Sequence, residues 1–140
     1  MVEIEIRYEG DLHTTAVHGP SGTELVTDAP KDNQGRGESF SPTDLVATAL
    51  GTCIATTMDI VARRHGFSVA GTRVRVGKHM VSEPRRRIGK LDVDVAMPSA
   101  LATDQRTLLE HTARTCPVAE SLSPAIELPM TFRYGAGTAT

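Results

Sequence analysis

The sequence predicts an α+β fold in a single domain spanning residues 1–140. Segments near both ends alternate apolar and polar residues with the two-residue period of strands. Between them runs one helical segment of about six turns with no helix breaker. Two shorter helical segments precede the last strand. The resulting order is three strands, a long helix, two strands, a helix, a short helix and a strand.

At the N-terminus, Val2, Ile4, Ile6 and Tyr8 alternate with Glu3, Glu5 and Arg7. Glu9-Gly10-Asp11 reads as a turn, Leu12 to Val17 as a strand, Gly19 to Gly22 as a turn and Thr23 to Thr27 as a strand. Together they form an antiparallel meander. Residues 28–40 are polar and rich in Gly, Pro, Asp and Asn; this loop reads either as a functional segment or as a plain connector. Ser41-Pro42-Thr43-Asp44 has the order of a helix start: a capping serine, proline at the first helical position and an acidic residue in the first turn. The helix runs to His65, with Gly66 suited to its C-terminal stop. Its middle is crowded with small residues: Ala47, Thr48, Ala49, Gly51, Thr52, Ala55, Thr56 and Thr57. Gly51 costs about 1 kcal/mol relative to alanine in a helix, so it implies close approach of another backbone.

Val69 to Ser82 and Ile88 to Met97 read as paired strands, with Arg73 and Arg75 able to face Asp92 and Asp94 on the wet side. Arg85, Arg86 and Arg87 then fall in or near a solvated hairpin tip. Thr103 is expected to cap a helix reaching Arg114. Pro117 biases Cys116 away from helical geometry, so the chain bends there before a short helix, 117–122. A strand from Ile126 to Tyr134 closes the domain, and the tail after Gly135 is expected to fray. So long a helix between two meanders does not close around one small core, and an intertwined homodimer would resolve that.

Composition narrows the function classes. The 140 residues are 39% apolar and 23% charged, as in a globular chain. The net charge of −2 argues against a dedicated nucleic-acid binder. No uninterrupted apolar run approaches the roughly 20 residues of a membrane span, and the opening strand is unlike a signal peptide. The expectation is a cytoplasmic protein that contacts neither membrane nor nucleic acid. Two cysteines in that compartment read as free or redox-active thiols rather than a permanent bridge. His13, His18, His65, His79 and His111 are scattered without ligand spacing, so no metal or other cofactor is expected.

The chemistry rests on Cys53, in the crowded middle of the long helix, and Cys116, before Pro117. Taken singly, a buried cysteine such as Cys53 is most often a small hydrophobe, whereas Cys116 sits where the N–H groups of the following short helix point back toward it, a place that can lower a thiol pKa. As a pair they can do more: a thiolate attacks a peroxide and becomes a sulfenic acid, and a second thiol condenses with it to a disulfide.

Ser41-Pro42-Thr43-Asp44-Leu45, Ala49-Leu50-Gly51-Thr52-Cys53 and Cys116-Pro117-Val118 with Leu122 together resemble the OsmC/Ohr family, and the order of elements matches over nearly the whole chain. The opening is similar to an OsmC-like branch with S-P-T-D-L starts. The resemblance implies an OsmC-like fold: antiparallel sheets around a long central helix, in an intertwined homodimer with sites at the interface. It also implies reduction of organic hydroperoxides, with a dithiol or lipoyl-type reductant and a role in oxidative-stress defence. Cys53 would be the peroxidatic cysteine and Cys116 the resolving one. The family's peroxidases carry a glutamate where this chain has Thr43 and an arginine where it has Asn33. Asp44 and Arg36 are the nearest replacements and complete the candidate site. Asp44 also suits a purely structural part at the helix start. Without a nearby cation, a buried Cys53 would keep a raised pKa. The competing reading is a dimer of the same fold without peroxidase activity, binding a small apolar or thiol-containing ligand at its interface.

Overall fold

The computed structural model describes residues 1–98 and 100–135, so the tail expected to fray lies outside the described residues. The fold is α+β, with two three-stranded sheets and a 23-residue helix. The chain forms two compact units, Met1–Val46 and Ala47–Thr140, divided inside that helix.

The first unit is the expected meander: β1 (Ile4–Gly10), β2 (His13–His18) and β3 (Glu24–Asp28), antiparallel in that order. The first turn sits one or two residues later than expected. Asp11 and Leu12 both take left-handed backbone angles, with φ of 54° and 61°. That pair of angles matches the twist of a two-residue hairpin. Across β2 and β3, His13 Nδ1 lies 2.7 Å from Asp28 Oδ1. The 28–40 segment is no open connector. The Asp28 N–H donates to the Phe40 carbonyl, closing its base at 3.0 Å, and Lys31–Asn33 form a 3₁₀ turn inside it. Gly35 packs so tightly on Ala29 that a Cβ there would overlap the Ala29 carbonyl oxygen, 1.7 Å away.

Helix α1 (Pro42–Arg64) starts as its sequence implies. The Asp44 N–H donates to Ser41 Oγ at 3.1 Å, and the Ser41 N–H donates to Asp44 Oδ2 at 2.9 Å. This reciprocal pair satisfies two of the donors that a helix start leaves open. At the other end Gly66 is left-handed, with φ of 81°, and the Phe67 N–H donates to the Ala62 carbonyl. That is the glycine-terminated stop expected there. Over its best 18-residue window the mean hydropathy of α1 is 1.7, so by length and composition it could cross a membrane. Counting uninterrupted apolar runs missed this, because threonines break the runs while barely lowering the average. Core helices of soluble proteins meet the same criterion.

In the second unit, β4 (Arg73–Val81) and β5 (Arg87–Ala96) are antiparallel. The arginine run starts in their turn and enters β5 at Arg87. Arg75 is directly opposite Asp94, as the alternation implies. Asp94, however, takes its ion pair from Arg133 at 2.6 Å, and Asp92 pairs with His79. Helix α2 (Thr103–Arg114) is capped by Ala102 rather than Thr103. Gln105 Oε1 accepts the Ala102 N–H at 3.0 Å, which moves the start back one residue. The last strand departs most from expectation. Only Met130–Arg133 form β6, and β6 runs parallel to β5. The sheet is therefore mixed rather than antiparallel. Before Pro129, which has no N–H to give, the pairing thins to a single bridge between Lys90 and Glu127. A parallel neighbour needs a crossover, and here it consists of α2 and α3 (Pro117–Ser121). Arg106 stacks on the Tyr134 ring at 4.4 Å, Arg114 on Phe132 at 5.0 Å, and Tyr134 Oη donates to Glu110 Oε2 at 2.5 Å. These contacts fasten α2 to the end of β6.

The core of this unit joins Leu50, Ile54 and Met58 from α1 with Leu91, Val95 and Met97 from the β5 segment and Leu109 from α2, all fully buried. At Gly51, α1 lies close against β4. A Cβ there would lie 3.0 Å from Val76 Cγ2 and 3.5 Å from Val74 Cγ1. Gly51→Val should therefore destabilise the fold by about 1–3 kcal/mol, read as a lower urea midpoint. Adding Val76→Ala should recover part of the loss. An unchanged midpoint in the single variant would mean that the approach is not tight.

Candidate active site

Cys53 sits in the middle of α1, half-buried, and Cys116 is 1% exposed. Both belong to the second unit. Cys116 ends the turn after α2 in extended geometry (φ −63°, ψ 155°) and is the residue from which α3 starts. Proline at the first position of α3 imposes this bend. Without it, α2 would run on and carry the thiol elsewhere.

The two thiols are close enough to influence each other, and their surroundings push them in opposite directions. Burial raises the Cys53 thiol, but three hydrogen bonds more than offset it. They come from the Val118 N–H, the Thr57 hydroxyl and the Cys116 thiol, and they hold Cys53 below its ordinary value of 9.0. Thr57 Oγ1 is 3.7 Å from Cys53 Sγ, one helical turn along α1. Cys116 is raised, first by burial and then by its hydrogen bond to Cys53 and the charge there; the Ala119 and Val118 N–H groups only partly compensate. Hydrogen bonds to the charged form stabilise a thiolate, and here every such donor is neutral. The raised Cys53 expected without a cation therefore does not occur. In the sequence, Thr57 reads only as a small helix residue and Val118 only as part of a motif, and none of Thr57, Val118 and Ala119 is given a place at the thiols. Their signals were the four-residue spacing from Cys53 and the places directly after Cys116-Pro117.

The other two candidates lie in the first unit. Asp44 is engaged with Ser41 at the start of α1. Arg36 is exposed in the loop, between Gly35 and the left-handed Gly37. Among the described residues no group of three or more His, Cys, Asp or Glu is arranged to hold a metal ion.

A family model described as OsmC-like protein matches residues 35–130. This chain belongs to the OsmC-like family. A crystal structure from Psychrobacter arcticus, provisionally described as an osmotic stress induced and detoxification response protein, is 41% identical, with a TM-score of 0.90 over 95% of this chain and 96% of its own. Two more distant OsmC-like structures share the fold. The organic hydroperoxide resistance protein OsmC of Legionella pneumophila is 12% identical, with a TM-score of 0.76 over 94% of this chain and 96% of that one. The organic hydroperoxide resistance protein OhrB of Bacillus subtilis is 13% identical, with a TM-score of 0.69 over 95% and 98%. No curated protein matches.

The donor set gives a direct expectation. Iodoacetamide should modify Cys53 before Cys116, with an inflection below pH 9.0 for Cys53. Thr57→Val removes one donor and should move that inflection upward. Peptide mass mapping across a pH series separates the two thiols, and an inflection indifferent to Thr57 would remove the hydroxyl from the account.

Proposed function

We propose that this OsmC-like protein is a thiol-dependent peroxidase that reduces organic hydroperoxides and serves oxidative-stress defence. The observation that carries this reading is the pairing of two free cysteines within one unit, close enough that Cys53 is lowered and Cys116 raised. The Cys53 thiolate attacks the peroxide O–O bond, and the leaving alkoxide takes a proton to become an alcohol. The resulting sulfenic acid condenses with the Cys116 thiol, losing water and forming a disulfide. An external dithiol or lipoyl-type reductant then supplies two electrons and two protons to restore both thiols. Resistance to hydroperoxides in the named relatives OsmC and OhrB supports the substrate class by analogy of fold. Arg36 is the candidate for polarising the peroxide, and Asp44 for holding the start of α1. Two free cysteines suit a reducing compartment, the cytoplasm.

The working form in this reading is a homodimer. One face of the first sheet carries Ile4 (49% exposed), Ile6 (60%), Tyr8 (63%) and Leu25 (45%), which the strand register places side by side. Soluble proteins seldom leave such a patch uncovered, and a second copy is the cover proposed here. Sedimentation should return twice the chain mass, and Ile6→Glu should shift it toward the monomer. A parent protein that sediments as a monomer would overturn the dimer.

The decisive experiment is a single turnover. Reduced protein receives one equivalent of tert-butyl hydroperoxide, and free thiols and intact mass are followed over seconds to minutes. Two thiols per chain should be lost. Cys53→Ser should be inert, Cys116→Ser should stop at the sulfenic acid, and Arg36→Ala should slow the first step. No thiol loss in the parent would favour the second reading, a dimer that binds a small apolar or thiol-containing ligand. The positions of Thr43 and Asn33, where the family's peroxidases carry glutamate and arginine, are what speak for that reading.

A further inference from the structure

The two sulfurs differ in access, and this sets how the oxidised pair is reduced. Cys116 is 1% exposed, next to the buried Thr112 and Ala113 at the end of α2, whereas Cys53 is half-buried. Thiol–disulfide exchange needs the attacking thiolate to reach one sulfur and the other to leave. The approach is nearly in line with the S–S bond. Attack on Cys53 must come from the side opposite Cys116, and of the two sulfurs it is the one that keeps exposed surface. Cys116 is closed to attack, at 1% exposed where α2 gives way to α3.

Resting on the peroxidase reading, we propose that the external thiol attacks the Cys53 sulfur of the Cys53–Cys116 disulfide, so that the mixed disulfide stands on Cys53 and Cys116 departs. In this step the S–S bond between the cysteines breaks, a bond forms between the reductant sulfur and Cys53, and Cys116 leaves as a thiolate that takes up a proton. The Ala119 N–H, which favours the charged form of Cys116, eases the charge as it develops. When the reductant is a dithiol, its second thiolate attacks its own first sulfur and closes a cyclic disulfide. Cys53 is expelled onto the Val118, Thr57 and Cys116 donors already aimed at it.

One effect opposes this order. The more acidic thiol is the better leaving group, and on that ground Cys53 should leave and Cys116 be attacked. Leaving-group acidity changes such rates by about tenfold or less per pK unit. Burial of Cys116 acts as a gate, since attack there must wait for local opening of α3. Access therefore decides the order.

The test does not depend on hydroperoxide. Diamide oxidises the purified protein to the Cys53–Cys116 disulfide, 2-mercaptoethanol is added, and the reaction is quenched with acid at early times. Peptide mass mapping should find the mercaptoethanol adduct on Cys53 at least about tenfold over Cys116. An adduct mainly on Cys116, an even split, or no intrachain disulfide with diamide would overturn the proposal. A protein inert to tert-butyl hydroperoxide that still gives the Cys53 adduct would remove the peroxidase reading alone. In Ellman's reagent under native conditions, the lone thiol of Cys53→Ser should react at least about tenfold more slowly than that of Cys116→Ser. The gap should close in denaturant. Equal native rates would overturn the access argument at its base.

Discussion

A missing side chain at Gly51 sets how near α1 can lie to β4, and the cysteine site follows from that spacing. With Val76 Cγ2 only 3.0 Å from where a Cβ would stand, the helix is seated closer to the sheet than a side chain at 51 would comfortably allow. Leu50, Ile54 and Met58 enter the core on either side of that contact. Cys53 is two residues on from Gly51, so its half-buried place is fixed by the same seating. A helix with a larger residue at 51 would ride higher and lift the thiol from its donors. The glycine sacrifices helix propensity, and the buried aliphatic contacts offset that loss.

The second half of the site comes from topology. Because β6 is parallel to β5, the chain must cross over between them, and Cys116 lies on that crossover. Three things position it. Proline ends α2 and turns the chain, the Arg106–Tyr134 and Arg114–Phe132 stacks hold α2 to β6, and the Glu110–Tyr134 hydrogen bond adds a polar tie. Burial, and then the Glu110 charge, keep the Tyr134 phenol above its ordinary value, so it remains a donor. The site thus combines one thiol carried by a long helix with another carried by a bend. Its donors are uncharged, which makes thiolate stabilisation a matter of geometry rather than of salt.

Much of this was legible in the sequence where the signal is local. Ser41, Pro42 and Asp44 mark the start of α1 and Gly66 its end, because caps are settled within a few residues. Alternation located β1, β2, β4 and β5. The parallel direction of β6 was not legible, since alternation is the same for either direction and pairing is decided by the whole chain. Thr103 lost the cap of α2 because Gln105 reaches back to Ala102, a choice that a list of good capping residues does not capture. At the site, family resemblance joined Cys53 to Cys116. The N–H groups of the short helix beside Cys116 were foreseen from the Pro117 bend, but burial outweighs them and Cys116 is raised, while the Val118 N–H and Thr57 lower Cys53 instead.

The reach of the cysteine pair extends beyond its own chemistry. Cys53 and Cys116 lie far apart in sequence, on either side of β4, β5 and α2. A bond between them closes a ring of roughly 60 residues, and chain-entropy reasoning gives such a ring about 4 kcal/mol of stability, drawn from the unfolded state. That is comparable with the whole folding free energy of a marginal domain. Under the proposed peroxidase reading, each cycle would alternate between a looser reduced protein and a tighter oxidised one. On the same reading, the protein would hold its fold most firmly in the oxidised state, before a reductant reopens the ring.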